Sequence, residues 1–223
     1  MTCQKIYVSR FSAWAPGVGT CDEWHEWALG KREIAFDNKA PELSFAEPMF
    51  RRRLSQISKM TIQVIHDLMP IADDIKILFT SFRGELSRQY QINKMLTEEK
   101  TLSPAIFSLS VFNTPIALAT IACGLKGGYT AVYPGNNSFS SALKMAEAAL
   151  LCGTAENLIF VYADEKTQSD YDCFFNETLP AVSFALFLSK SPCPDSIPFD
   201  AANENPFDFL KQLLLSGGTN VSA

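Results

Sequence analysis

Residues Lys126–Gly153 read KGGYTAVYPGNNSFSSALKMAEAALLCG, and their pattern decides the fold. Tyr129–Tyr133 is β-branched and aromatic, the composition of a strand. Pro134-Gly135-Asn136-Asn137 follows, built from residues that tolerate bends and positive φ. Ser138 is placed to cap a helix, and Ala142, Leu143, Ala146, Ala149 and Leu150 give that helix one apolar face. A strand, a sharp turn and a helix N-terminus together make the shape on which many enzymes mount a nucleophile. Here Asn136 stands at the apex, and an amide cannot do that work.

Outward from this unit, Lys5–Ala13, Ile75–Thr80, Asn157–Tyr162 and Ala181–Leu188 read as further strands. Asp22–Leu29, Phe50–Met69, Glu85–Leu96, the stretch from Ser103 to Ile121, and Phe207–Leu215 read as helices. Lys31–Pro48, Ala163–Pro180 and Pro192–Pro206 read as loops, with Asp164-Glu165 solvated within the second. Alternating strands and helices predict an α/β fold, a mostly parallel five-stranded sheet with helices on both faces. The pattern places all of it in one domain over residues 1–223, with a frayed tail at 216–223.

Composition narrows the function. A net charge of −5 leaves no basic field for phosphates, which argues against nucleic acid as a partner. Arg51-Arg52-Arg53 is the one basic run; a solvated helix flank is its plain reading and docking of an acidic carrier protein its sharper one. Charged residues are only 19% of the chain and Phe occurs 17 times, which calls for a large core or a surface covered by another subunit. No apolar run is long enough to span a bilayer and no signal peptide is visible. The six cysteines show no metal-like spacing, so reduced thiols in the cytoplasm are expected, with no metal and no cofactor.

The usual catalytic motifs fail. A serine hydrolase elbow needs a serine at the apex and a histidine after it, but His25 and His66 both precede the turn. Gly17 and Gly19 give half of a dinucleotide fingerprint and no more. Cys123 and Cys152 lie in apolar helical stretches and read as small buried hydrophobes. Each histidine has a packing reading that outweighs a catalytic one.

The central stretch resembles the segment around the nucleophilic cysteine of β-ketoacyl synthases, members of the thiolase superfamily, which reads K-G-P-x-x-x-V-D-T-A-C-S-S-S-L-x-A-L-x-x-A-x-x-x-L-x-x-G. Lys126-Gly127, Val132, Ser138, Ala142-Leu143, Ala146, Leu150 and Gly153 fall on it without a gap. That register sets Asn136 at the cysteine position, with Gly135 before it. Arg51–Lys59 (RRRLSQISK) resembles an early family helix, and Ser81–Arg88, Ser103–Val111 and Asn113 resemble the short aryl polyene subfamily. The resemblance runs from about Lys5 to Leu188.

The resemblance implies a thiolase-like N-terminal half. An asparagine cannot form the acyl thioester, and the family's second half, which supplies two histidines, is expected to be missing. The implied role is a non-catalytic chain-length-factor-like subunit, a helper that pairs with an active β-ketoacyl-ACP synthase in a type II polyketide or aryl polyene (fatty-acid-like) pathway. The implied heterodimer interface is Tyr129, Thr130, Ala131, Val132, Tyr133, Pro134, Gly135, Asn136 and Asn137. Tunnel-facing side chains are expected among Tyr90, Met95, Phe107 and Phe112, with ordinary core packing as the rival reading of each. The acyl carrier protein is reached only through the complex. Two alternatives stand: a short acyltransferase or decarboxylase using Cys123, Cys152 or Ser138 with His66, and an interaction subunit with no influence on product length.

Overall fold

In Asn157–Asp164 every residue after the first is buried, and the pleat sends successive side chains to opposite faces. Such a strand needs a core on each side. The computed structural model, which describes residues 5–134, 138–166, 179–217 and 221–222, supplies both. Leu158, Phe160 and Tyr162 enter one core, and Ile159, Val161 and Ala163 enter the other.

The strands are β1 (Tyr7–Trp14), β2 (Lys76–Thr80), β3 (Tyr129–Val132), β4 (Asn157–Asp164), β5 (Val182–Ser189), β6 (Ile197–Pro198) and β7 (Val221–Ser222). The helices are α1 (Cys21–Ala28), α2 (Pro48–Arg51), α3 (Gln56–His66), α4 (Leu86–Lys94), α5 (Pro104–Phe107), α6 (Thr114–Cys123), α7 (Phe139–Leu151) and α8 (Pro206–Leu215). A π-helical turn, Met95–Glu99, continues α4. The sheet order is β3-β2-β4-β5-β1-β6, with β7 beside β1.

All five expected strands are present, but among the described residues the sheet has seven and is mixed. β2 pairs parallel with β3 and β4, whereas β5 runs antiparallel to both β4 and β1. An apolar run carries no direction. β5 lies directly beside β4, an arrangement that needs no crossover helix. The two added strands are two residues each, too short to register as a period, and β7 falls inside the expected frayed tail.

α3 and α6 cover one face of the sheet; α1, α7 and α8 cover the other. Two long predicted helices are each divided. Ser55 caps α3 by accepting the Ser58 N–H at 3.2 Å, so α2 and α3 replace the single helix expected over Phe50–Met69. α5 and α6 likewise replace the stretch from Ser103 to Ile121. In β1, a bulge between Val8 and Arg10 shifts the parity, so Val8 and Phe11 reach the same core.

Phe139, the first residue of α7, is the hub of the aromatic core. Its ring lies 5.4 Å from Tyr162, 5.7 Å from Phe209, 5.8 Å from Phe160 and 6.1 Å from Phe184, all edge-on. The glycine of the Lys126-Gly127 pair is required by contact. A Cβ there would sit 2.0 Å from the Asp74 carbonyl oxygen. Lys126 closes the same corner through an ion pair with Asp73 at 2.8 Å. β3 is thereby delivered to the sheet edge in register with β2.

Candidate functional site

β3 ends the sheet, and among the described residues its outer edge is unpaired. The Ile77 N–H donates to Gly128 O at 3.1 Å, so alternation along a parallel ladder turns the N–H groups of Tyr129 and Ala131 outward. Just past the strand, Tyr133 is 56% exposed, its ring 6.5 Å from that of Phe112. Asn113 Nδ2 donates to the Tyr129 hydroxyl at 2.9 Å and steadies that ring. Pro134 is buried; Gly135, Asn136 and Asn137 lie outside the described residues. The structure thus brings the first part of the expected interface into one continuous edge.

At the start of α7, Ser138 holds the N-cap position, but its side chain makes no cap bond. Its hydroxyl donates instead to the Glu204 carboxylate, which also accepts from Ser140 Oγ at 2.8 Å. These hydroxyls, with Lys144 nearby, hold the Glu204 carboxyl below its usual range. The loop leading into α8 is fastened in this way to the start of α7.

A second feature lies where β2 and β4 end. Asp164 and Glu165, expected to be solvated, are 3% and 1% exposed. Asp164 accepts from Ser81 Oγ at 2.6 Å, Tyr162 OH at 2.7 Å, and the Phe82 and Arg83 N–H groups at 3.2 and 3.1 Å. Burial still pushes its carboxyl upward, against those bonds and the Arg83 charge. Glu85 is buried among Ser55 Oγ and Ser58 Oγ, each at 2.7 Å, and Arg88 Nε at 3.1 Å. Glu165 accepts the Ser87 N–H at 2.7 Å. Burial raises its pKa to about 7, with the negative neighbours Glu85 and Asp164 adding to the effect. One signal of this cluster is visible in the sequence: Asp164-Glu165 directly follows an apolar strand.

Glu165 lines an open cleft of about 760 Å³ whose walls include Phe50, Leu54, Ser87, Arg88, Ile106 and Leu109, with Arg52 and Arg53 at its rim. α4 and α5, the segments expected to face a tunnel, both border it. The four named side chains do not. Tyr90 and Met95 are half-buried on α4 and the turn after it, and Phe107 is 56% exposed. Phe112 packs at 6.0 Å from Phe79 and 6.5 Å from Tyr133, beside the β3 edge. A Cβ on Gly84 would meet its ring at 2.9 Å, so the glycine makes room for it.

The alternative nucleophiles are not assembled. Burial, with Asp67 nearby, pushes the Cys123 thiol up to about 11, where it holds its proton at neutral pH. Cys152, expected to be buried, is exposed at the end of α7. His66 stacks on Phe45 at 3.5 Å, on the α3 side of the sheet, while Ser138 lies on the α7 side.

The sequence matches the family described as β-ketoacyl synthase, N-terminal domain, over residues 24–207. No curated protein matches it. Among solved structures it resembles a chain from a ketosynthase (ApeO) in complex with its chain length factor (ApeC) from Xenorhabdus doucetiae. The two are 24% identical, with a TM-score of 0.77 over 94% of this chain and 91% of that one. It also resembles the ishigamide ketosynthase/chain length factor at 13% identity and TM-score 0.66, covering 87% of this chain and 64% of that one. A type II polyketide synthase acyl-carrier protein in complex with its ketosynthase gives 12% and 0.62, covering 83% and 63%. At these identities the likeness is one of fold.

Proposed function

Because the chain belongs to the β-ketoacyl synthase family through its N-terminal domain, we propose that it is a non-catalytic, chain-length-factor-like subunit. Its partner is a catalytic β-ketoacyl-ACP synthase of a type II polyketide pathway, of the aryl polyene kind, and together they shape the acyl tunnel. The observation that carries this reading is the β3 edge, unpaired among the described residues, with outward N–H groups at Tyr129 and Ala131 and the exposed Tyr133 ring just beyond. An unpaired strand edge beside an exposed aromatic ring is a surface that another strand covers. Asn136 supports the same reading from the sequence side, since the gap-free register sets it where the family has its thiol and an amide forms no thioester.

In this account Tyr129–Pro134, with Gly135, Asn136 and Asn137, meets the partner. Phe112, Phe107, Tyr90 and Met95 belong to the tunnel wall, and Phe112 stands nearest the interface through its contact with Tyr133. The carrier protein meets the complex through the synthase, in the cytoplasm. An independent acyltransferase is disfavoured because the Cys123 thiol, at about 11, is the opposite of an activated nucleophile.

The test is co-expression with a cysteine-bearing cognate synthase. Recovery of a one-to-one complex is expected. Ala131→Pro removes an outward N–H without touching the β2 ladder, and should weaken the complex roughly tenfold or more. A chain that stays monomeric beside its synthase, or a complex indifferent to Ala131→Pro, rules the β3 interface out.

A further inference from the structure

The cleft beside Glu165 has a chemistry that partner pairing does not use. Its walls carry partly exposed apolar side chains, Phe50, Leu54, Ile106 and Leu109. At its rim Arg52 and Arg53 are exposed, and among the described residues neither guanidinium has an ion-pair partner. Arg88, in contrast, is committed: its Nε pairs with Glu85 at 3.1 Å and its Nη2 donates to the Arg53 carbonyl oxygen. That bond ties the arginine run to α4 and fixes the rim against the wall. In a chain of net charge −5, two exposed guanidinium groups over an apolar cleft form a local positive field. About 760 Å³ lies in the range of small-ligand sites.

We propose that this cleft binds an amphiphilic organic anion, its acidic head on Arg52 and Arg53 and its apolar body along Phe50, Leu54, Ile106 and Leu109, and that protonation of Glu165 at the inner wall favours binding. Glu165 is 1% exposed and fixed by the Ser87 N–H, so it cannot swing out to water. The groups facing it are Glu85 and Arg88 from the α4 side, Asp164 from β4, and Arg83, which donates to the Glu165 carbonyl oxygen at 3.2 Å. Lys166 follows it in the chain and is turned onto the Phe36 ring, 4.4 Å from the ring centre. When ionised, Glu165 adds a negative charge to an inner wall that already has Glu85 and Asp164 behind it. When neutral, it leaves the arginine field unopposed inside the cleft.

The probe is 1-anilinonaphthalene-8-sulfonate, whose charge is constant across this pH range, with uncharged N-phenyl-1-naphthylamine as control. For a carboxyl titrating near 7, the neutral fraction falls about tenfold between pH 6 and pH 8, and the wild-type affinity for the sulfonate should fall by up to that factor. The Arg52→Gln/Arg53→Gln double variant should bind the sulfonate roughly tenfold more weakly and the uncharged control unchanged. Glu165→Gln should bind at pH 8 as wild type does at pH 6. Displacement of the probe by decanoate or decyl phosphate supports the site and identifies the head group; displacement by neither overturns it. Equal sulfonate binding by wild type and the double arginine variant, or wild-type binding that ignores pH, also overturns it. Both arginines are exposed and, among the described residues, neither side chain has an ion pair or hydrogen bond, so that variant decides the matter even if Glu165→Gln does not fold.

Discussion

Glu165→Gln isolates the energetic effect of burying a carboxyl beside two others. The folded-state pKa of about 7 lies above the ordinary 4.5. Ionisation is therefore easier in the unfolded chain. Stability is complete below pH 4.5 and declines as pH rises through 7, where the folded protein must ionise the group at a cost. A separation of 2.5 pH units corresponds to about 3 kcal/mol, reached by pH 8.5 and reduced to under about 1 kcal/mol at pH 5. Glu165 is 1% exposed, so solvent screens little of this. Glutamine keeps an oxygen for the Ser87 N–H and carries no charge. By thermal unfolding followed with circular dichroism, the variant should melt roughly 6–12 °C above wild type at pH 8.5. The gap should narrow to about 2–3 °C at pH 5. A difference that is flat across this range, or a variant less stable than wild type at pH 8.5, refutes the reasoning.

Other expectations follow from packing. Gly127→Ala sets a Cβ against the Asp74 and Ile75 carbonyl oxygens, at 2.0 and 2.2 Å, and should cost about 3 kcal/mol or more in denaturant unfolding. Phe139→Ala empties the centre of the aromatic core and should cost about 4–5 kcal/mol by the same measurement, whereas Phe139→Leu should cost far less. A maleimide at pH 7.5 should label Cys152 quickly and Cys123 slowly, because the first is exposed and the second is held as a thiol at about 11.

Much of the fold was legible because burial writes a period into the chain. Asn157–Tyr162 and Ala181–Leu188 announced themselves as strands buried on both faces, and the apolar stripe of Ala142, Leu143, Ala146 and Leu150 announced α7. Strand direction was not legible: β5 reads the same whichever way it runs, so a mixed sheet looked parallel. Helix ends depended on single caps such as Ser55, which a continuous apolar face concealed. The candidate site was half legible. The β3 edge followed from one strand and its register, whereas the cleft draws Phe50, Ser87, Ile106 and Glu165 from four separate segments. Asp164-Glu165 looked solvated because acidic residues after a strand usually are. Only tertiary donors, Ser81, Tyr162 and Ser87, make their burial tolerable.

The proposed role is to assist condensation without performing it. Radiolabelled malonyl and acyl carrier proteins, incubated with the chain alone, with a cognate cysteine-bearing synthase alone, and with both, test it most directly. The expected result is no acyl transfer to the chain, no condensation by it alone, and full-length product only when both subunits are present. Covalent acylation of this chain, or condensation in the absence of the synthase, would contradict it.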